Sequence, residues 1–170
     1  TNFDFHNLYI ILAGSILFFL IGLHDDKFKS PPLLRLFLQF IVAFFVSLNG
    51  FYLPPISLNF PFLGEITLQI PFLINQILTI IWIVGITNSI NWLDGIDGLA
   101  SGYCSICVFG LLFATILQIN YVGIMFFSIL LGSTLGFLIR NFKPAYYIMG
   151  DCGSNFLGFI LSTSSIMFLQ

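Results

Sequence analysis

Three short segments hold most of the residues that could do chemistry: His24-Asp25-Asp26-Lys27, the run 88–100 and the run 141–154. Together they carry Asp25, Asp26, Asp94, Asp97 and Asp151, five of the chain's seven acids. Carboxylates gathered in one place repel each other unless a cation sits among them. Hard oxygen ligands favour Mg²⁺, which usually takes one or two carboxylates and completes its shell with phosphate oxygens. Asn88, Asn91, Asp94 and Asp97 follow one another at a spacing of three, and neighbours at that spacing lie close together on a helix. Gly95 and Gly98 leave room for a ligand or a close backbone approach. Lys27, Lys29, Arg140 and Lys143 flank the acids. A metal ion among carboxylates and cations suits a reaction between two phosphate-bearing molecules, where neutralising charge is the main catalytic task.

Each piece taken alone has a plainer reading. Asp25-Asp26-Lys27 could be a solvated loop, and Gly150-Asp151-Cys152-Gly153-Ser154 a turn that caps a helix. His6 and His24 read as surface or interfacial side chains. Cys104 and Cys107 lie in an apolar run with no second pair, so they read as small packing residues. Gly132 and Gly136 read as helix packing, and Trp82 and Trp92 as packing or interfacial residues. The weight lies in the convergence of the segments on one side of a membrane.

That membrane follows from composition. Of 170 residues, 58% are hydrophobic and 7% charged, with mean hydropathy +1.04, against about 25% charged in ordinary soluble domains. Such a chain cannot cover a water-facing surface. A membrane helix needs about 20 apolar residues, and six candidate spans are expected near 8–23, 33–50, 72–88, 99–119, 121–139 and 155–169. Between the second and third, Ile56, Leu58, Phe60 and Ile66, Leu68, Ile70 alternate with polar residues around Pro61 and Gly64. That period-2 pattern predicts a small β-hairpin. The fold class expected is all-α integral membrane: a polytopic bundle of about six transmembrane helices with an extracytoplasmic hairpin. Residues 1–170 are expected to form a single transmembrane catalytic core.

Each span reverses the side of the chain, so 24–32, 89–98 and 140–154 share one face. All five basic residues fall on or beside it, which makes it cytoplasmic by the positive-inside rule. Asp4 and Glu65 fall on the other. The spans hold no acid near their centres. That argues against an ion or proton transporter, which would place acids near the bilayer midplane.

The segments resemble the polyprenyl-phosphate N-acetylhexosamine-1-phosphate transferases. That family's patterns are an Asp-Asp pair on a cytoplasmic loop, Asn-x-x-Asn-x-x-Asp-Gly-x-Asp-Gly, and Gly-Asp-x-Gly-Ser. All stand here in order, at Asp25-Asp26, 88–98 and 150–154. The stretch 141–145, Arg35 and Gln39 after the Asp pair, and the hairpin also fit. The wording 91–100 is closer to the O-antigen and enterobacterial-antigen branch than to the peptidoglycan-precursor branch. The resemblance implies transfer of N-acetylhexosamine 1-phosphate from a UDP-sugar to undecaprenyl phosphate, releasing UMP, as the initiating step of cell-envelope glycan synthesis. It implies Mg²⁺ (or Mn²⁺) as cofactor and a multi-pass protein of the inner membrane with its site on the cytoplasmic face. The bilayer, a polyprenyl phosphate and a UDP-sugar are the expected partners; a homodimer is compatible with it, and no nucleic acid is expected. Residue by residue, it implies Asp151 as metal ligand and Asp25, Asp26, Asp94 and Asp97 as catalytic carboxylates. Lys27, Asn88, Asn91 and Asn141 would bind substrate. The family has about ten spans, so Thr1 in place of Met and an end at Gln170 after an apolar run are what a fragment would show. It would lack the first two and last two spans and a His-containing cytoplasmic loop. The rival reading is an inactive remnant of the same family.

Overall fold

The computed structural model describes residues 5–60, 64–68 and 70–168. Asp4, Pro61, Gln69 and Leu169 lie outside the described residues. Helix α1 (Phe5–Phe28) is followed by α2 (Pro32–Leu48), strands β1 (Ile56–Phe60) and β2 (Gly64–Leu68), then α3 (Phe72–Leu93), α4 (Leu99–Leu117), α5 (Tyr121–Asn141) and α6 (Gly150–Phe168). The strands pair antiparallel, with Ile56 opposite Leu68, Leu58 opposite Ile66 and Ser57 opposite Thr67. Asn75 of α3 exchanges two hydrogen bonds with the Leu53 backbone, at 3.1 and 3.0 Å, and so anchors the approach to the ladder.

Among the described residues four helices are long and apolar enough to cross a membrane: α1 over His6–Phe28, α3, α4 and α5. Helix α2 is apolar but has 17 residues. Helix α6 is different in kind. It carries Ser162, Thr163, Ser164 and Ser165, whose hydroxyls bond carbonyls three or four residues back in the same helix, a habit of such residues inside helices. Polar groups satisfied this way still need shielding from lipid. Helix α6 accordingly runs through the middle of the bundle, with most of its residues buried.

Two apolar cores share α6. One joins Ile11 and Phe18 of α1, Ala43 and Val46 of α2, Ile83 of α3 and Phe159 of α6. Its Phe18 and Phe159 rings stack with centroids 4.5 Å apart. The other joins Ile90, Cys104, Val108, Phe127, Ile160 and Phe168, so Cys104 is a packing residue.

Small residues let the neighbours of α6 come close. A methyl group built on Gly158 would stand 2.6 Å from the Thr87 Cα, and one on Gly22 would overlap the Asp151 backbone. Between helices in lipid, such close approach is a principal source of adhesion. Gly22→Ala is therefore expected to push the charged end of α1 away from the start of α6. The cost should be about 1–3 kcal/mol, the usual penalty for overpacking, seen as a lower melting temperature in detergent. An unchanged melt would show that the seam yields freely.

The charged segments are helical further than expected. Helix α1 continues past residue 23 through Asp25, Asp26 and Lys27, which therefore stand on its last turn and not in a loop. No Gly or Pro interrupts that stretch; Pro31 and Pro32 stop it, and Pro32 begins α2, where a missing N–H costs nothing. Helix α3 runs to Leu93 and α6 starts at Gly150.

Candidate active site

The charged ends of α1, α2, α3 and α6 meet at one end of the bundle, opposite the hairpin by chain order. The centre is Arg35, one turn into α2. Its Nη1 donates to Asp25 Oδ2 at 2.6 Å and to Asp151 Oδ2 at 3.1 Å. The side chains of Arg35 and Asp25 are only 16% and 11% exposed, so water screens this pair weakly. From α3, Asn91 Nδ2 donates to Asp151 Oδ1 and, at 2.9 Å, to Ser154 Oγ. Ser154 in turn donates to the Gly150 carbonyl at 2.9 Å. Asp151 is thus held from two sides, by a cation from α2 and an amide from α3.

Asp26 does a different task. Its two carboxylate oxygens accept the backbone N–H groups of Asp151 and Cys152, at 2.9 and 3.0 Å. Those are orphan donors of the first turn of α6, where negative charge is also favoured by the helix dipole. Gly150 makes room for this cap. It has φ +70, and a Cβ there would meet Asp26 Oδ2 at 3.0 Å.

Asp94 caps the C-terminus of α3, its N–H bonding the Asn91 carbonyl at 3.2 Å. Burial pushes its carboxyl up from an ordinary 3.8 to about 6; a backbone hydrogen bond from Gly150 pulls the other way, and negative Asp151 and Asp26 add to the rise. Between those two values the folded protein holds a proton that the unfolded chain has lost, so stability grows as pH falls through 6 toward 4. Ionised Asp94 is correspondingly a burden at neutral pH. In detergent with chelator, Asp94→Asn should melt above the wild type at pH 7.5, with the gap narrowing as pH falls through 6 and closing near pH 4. A gap independent of pH would contradict this assignment.

Asp97 does not join the cluster. The helix ends at Leu93, and Gly98 takes a left-handed φ of 73, so Asp94 and Asp97 are not helix neighbours as their spacing suggests. Asp97 Oδ2 instead accepts the Ala145 N–H at 3.2 Å. Asn141 is buried, its Oδ1 accepting from Gly98 N at 3.1 Å and Ser101 Oγ at 2.7 Å while Nδ2 donates to the Tyr147 carbonyl at 2.8 Å. These two residues tie the 142–149 loop to the start of α4. Asn88 lies deeper, bonded to Gln39 Oε1 at 2.7 Å. Lys27 stands 5.3 Å from the Phe28 ring centroid and is exposed, and no ion pair joins it to an acid among the described residues. The cation in the cluster is Arg35, for which residue spacing assigns no role. Its signal was its isolation: one charge in an otherwise apolar helix is expensive unless it has a task.

Among the described residues no three or more His, Cys, Asp or Glu side chains gather closely enough to cage a metal ion. A hard ion bound through one or two carboxylates and substrate phosphates needs no such cage. Asp94 and Asp151 fit that demand. They bear on one another electrostatically: burial raises the Asp94 pKa, negative Asp151 and Asp26 raise it further, and no cation among the described residues offsets them.

The sequence matches glycosyl transferase family 4 over residues 8–169. A probable undecaprenyl-phosphate N-acetylglucosaminyl 1-phosphate transferase of Bacillus subtilis is 36% identical over 92% of this chain and 43% of its own length. Phospho-N-acetylmuramoyl-pentapeptide-transferases match over a shorter stretch. That of Gloeothece citriformis is 44% identical over 42% of this chain and 20% of its own. That of Levilactobacillus brevis is 46% identical over 42% and 22%. The chain thus spans less than half the length of these relatives.

Proposed function

The chain belongs to glycosyl transferase family 4, whose members are phospho-sugar transferases, and on that premise we propose that it moves N-acetylhexosamine 1-phosphate from a UDP-sugar to undecaprenyl phosphate. UMP is released. The observation that carries this reading is the junction at Arg35, where Asp25 of the first motif, Asn91 of the second and Asp151 of the third converge. We read residues 1–170 as one transmembrane catalytic unit, with the junction on the cytoplasmic face of the inner membrane and the hairpin outside. The product would start a cell-envelope glycan.

In the reaction a lipid phosphate oxygen attacks the sugar-bearing phosphorus. The bond from that phosphorus to the bridging oxygen breaks, and UMP leaves with the bonding electrons. Both substrates are anionic, so the residues must gather negative charge without expelling it. Arg35 supplies positive charge between Asp25 and Asp151. Asp25 orients the lipid phosphate and takes its proton where one is present. Asn91 fixes the Asp151 carboxylate, and Asp26 fixes the backbone beneath it. Asp97 and Asn141 shape the nucleotide side by holding the 142–149 loop, and Lys27 meets phosphate charge at the rim. Mg²⁺, held by Asp151 and Asp94, would neutralise the diphosphate and stabilise its leaving oxygen.

UMP release should require both the UDP-sugar and the lipid phosphate, and should stop when chelator removes divalent ions. Release of UMP without lipid phosphate would point to hydrolysis; none with any UDP-N-acetylhexosamine would favour an inactive remnant.

A further inference from the structure

A second polar layer lies one helical turn below the charged cluster, built from three of its four helices, α2, α3 and α6. Arg35 and Gln39 are four apart on α2, Asn91 and Asn88 three apart on α3, and Asp151 and Asn155 four apart on α6. Each helix therefore places one residue in each layer. Asn88 Nδ2 donates to Gln39 Oε1 at 2.7 Å, and Gln39 Nε2 donates to Asn155 Oδ1 at 3.3 Å. Gln39 and Asn155 are fully buried. The relay ends at Asn155 Nδ2, a buried donor with no partner among the described residues. A buried polar group left unpaired destabilises, and an apolar trio of similar shape would not carry that penalty. Stability alone does not account for the layer.

Helix α2 shows what the layer is for. Its buried residues are Gln39, Ala43, Val46 and Ser47; the rest faces outward or sits at its edges. Lipid tails are as apolar as a helix surface, so no hydrophobic force between helices sets the rotation of such a helix. Packing at Ala43 and Val46 and directional bonds must do it. Gln76 Nε2 reaches Ser47 Oγ at 3.3 Å near the far end. At the near end the tie is Gln39, and Arg35 rides one turn above it.

We propose that Gln39 is a positioning residue: through Asn88 and Asn155 it holds α2 at the rotation and depth that put the Arg35 guanidinium between Asp25 and Asp151. Its effect on turnover rests on the transferase reading; its effect on Arg35 does not.

The experiment uses the full-length protein in detergent and phenylglyoxal, which modifies accessible arginines, with peptide mapping by mass spectrometry. Arg35 is shielded between two carboxylates, while Arg140 is exposed and serves as internal reference. Gln39→Met keeps the side chain's length and removes its hydrogen bonds. It should raise the Arg35 rate about three- to tenfold, as expected for losing an interhelical hydrogen bond, with Arg140 unchanged. The kcat per folded molecule should fall at least about tenfold, with KM changing less, because small misplacements of catalytic groups are costly. Asn155→Leu cuts the same tie from α6 and carries the test if Gln39→Met fails to fold. Wild-type labelling of Arg35 in the folded variants overturns the proposal. Faster labelling in a protein whose wild type never turns over supports the positioning role and removes the transferase reading.

Discussion

Asp151→Asn is expected to abolish the proposed transfer, lowering turnover by about a thousandfold or more, on the scale of losing a central electrostatic group. Asp151 is where the three motifs are joined. One of its oxygens accepts from Asn91, the other from Arg35, and its charge stands beside Asp94. An asparagine retains the shape and loses the charge that would bind the metal-diphosphate. The fold should not suffer. Asp25 keeps its partner Arg35, and one negative charge leaves a crowded acidic site. Steady-state rates beside melting curves separate the two effects. A variant that keeps a tenth of wild-type turnover would remove Asp151 from the centre of the mechanism.

Arg35→Met should damage both stability and activity. Asp25 and Asp151 would face each other with no cation between them, and Asp25 is 11% exposed. Breaking a buried ion pair from one side costs about 3–5 kcal/mol. Turnover should fall about a hundredfold or more, since charge neutralisation is the work of such a site. Arg35→Lys is expected to recover part of the stability but little of the rate, because a single ammonium is a poor substitute for a planar guanidinium serving two carboxylates. The double variant Arg35→Met with Asp25→Asn should regain stability and stay inactive. Recovery of activity there would mean that Arg35 only offsets Asp25.

The convergence of the acidic motifs was more legible in the sequence than the helix ends that carry them. Clustered acids in so apolar a chain have few bland explanations, and Asp25, Asn91 and Asp151 do converge. The helix ends were harder to read. Hydropathy stops at the first charged residue, but a helix stops where its backbone is interrupted, as ahead of Pro31. Asp25 and Asp26 therefore ride on α1, while the three-residue spacing of Asp94 and Asp97 crosses a helix end and loses its meaning. Helix α6 falls short on hydropathy because it carries Asp151, Asn155 and a run of Ser and Thr, which internal hydrogen bonds and the cover of other helices make tolerable. Arg35 and Gln39 become meaningful only when α2, α3 and α6 stand side by side. Asn141 reads in sequence like a ligand-binding amide; in the structure its Oδ1 accepts from Gly98 and Ser101 and its Nδ2 donates to the Tyr147 carbonyl.

The most direct measurement follows two labels at once. UDP-N-acetylglucosamine carrying ³²P in its sugar-bearing phosphate and tritium in its sugar would be given to the full-length protein with undecaprenyl phosphate and Mg²⁺. Both labels should enter the lipid in equal amounts, with an equal release of UMP, and neither should do so with Asp151→Asn. Tritium entering the lipid without ³²P, with UDP released in place of UMP, would show transfer of the sugar alone and contradict the assignment of the site to phosphoryl transfer.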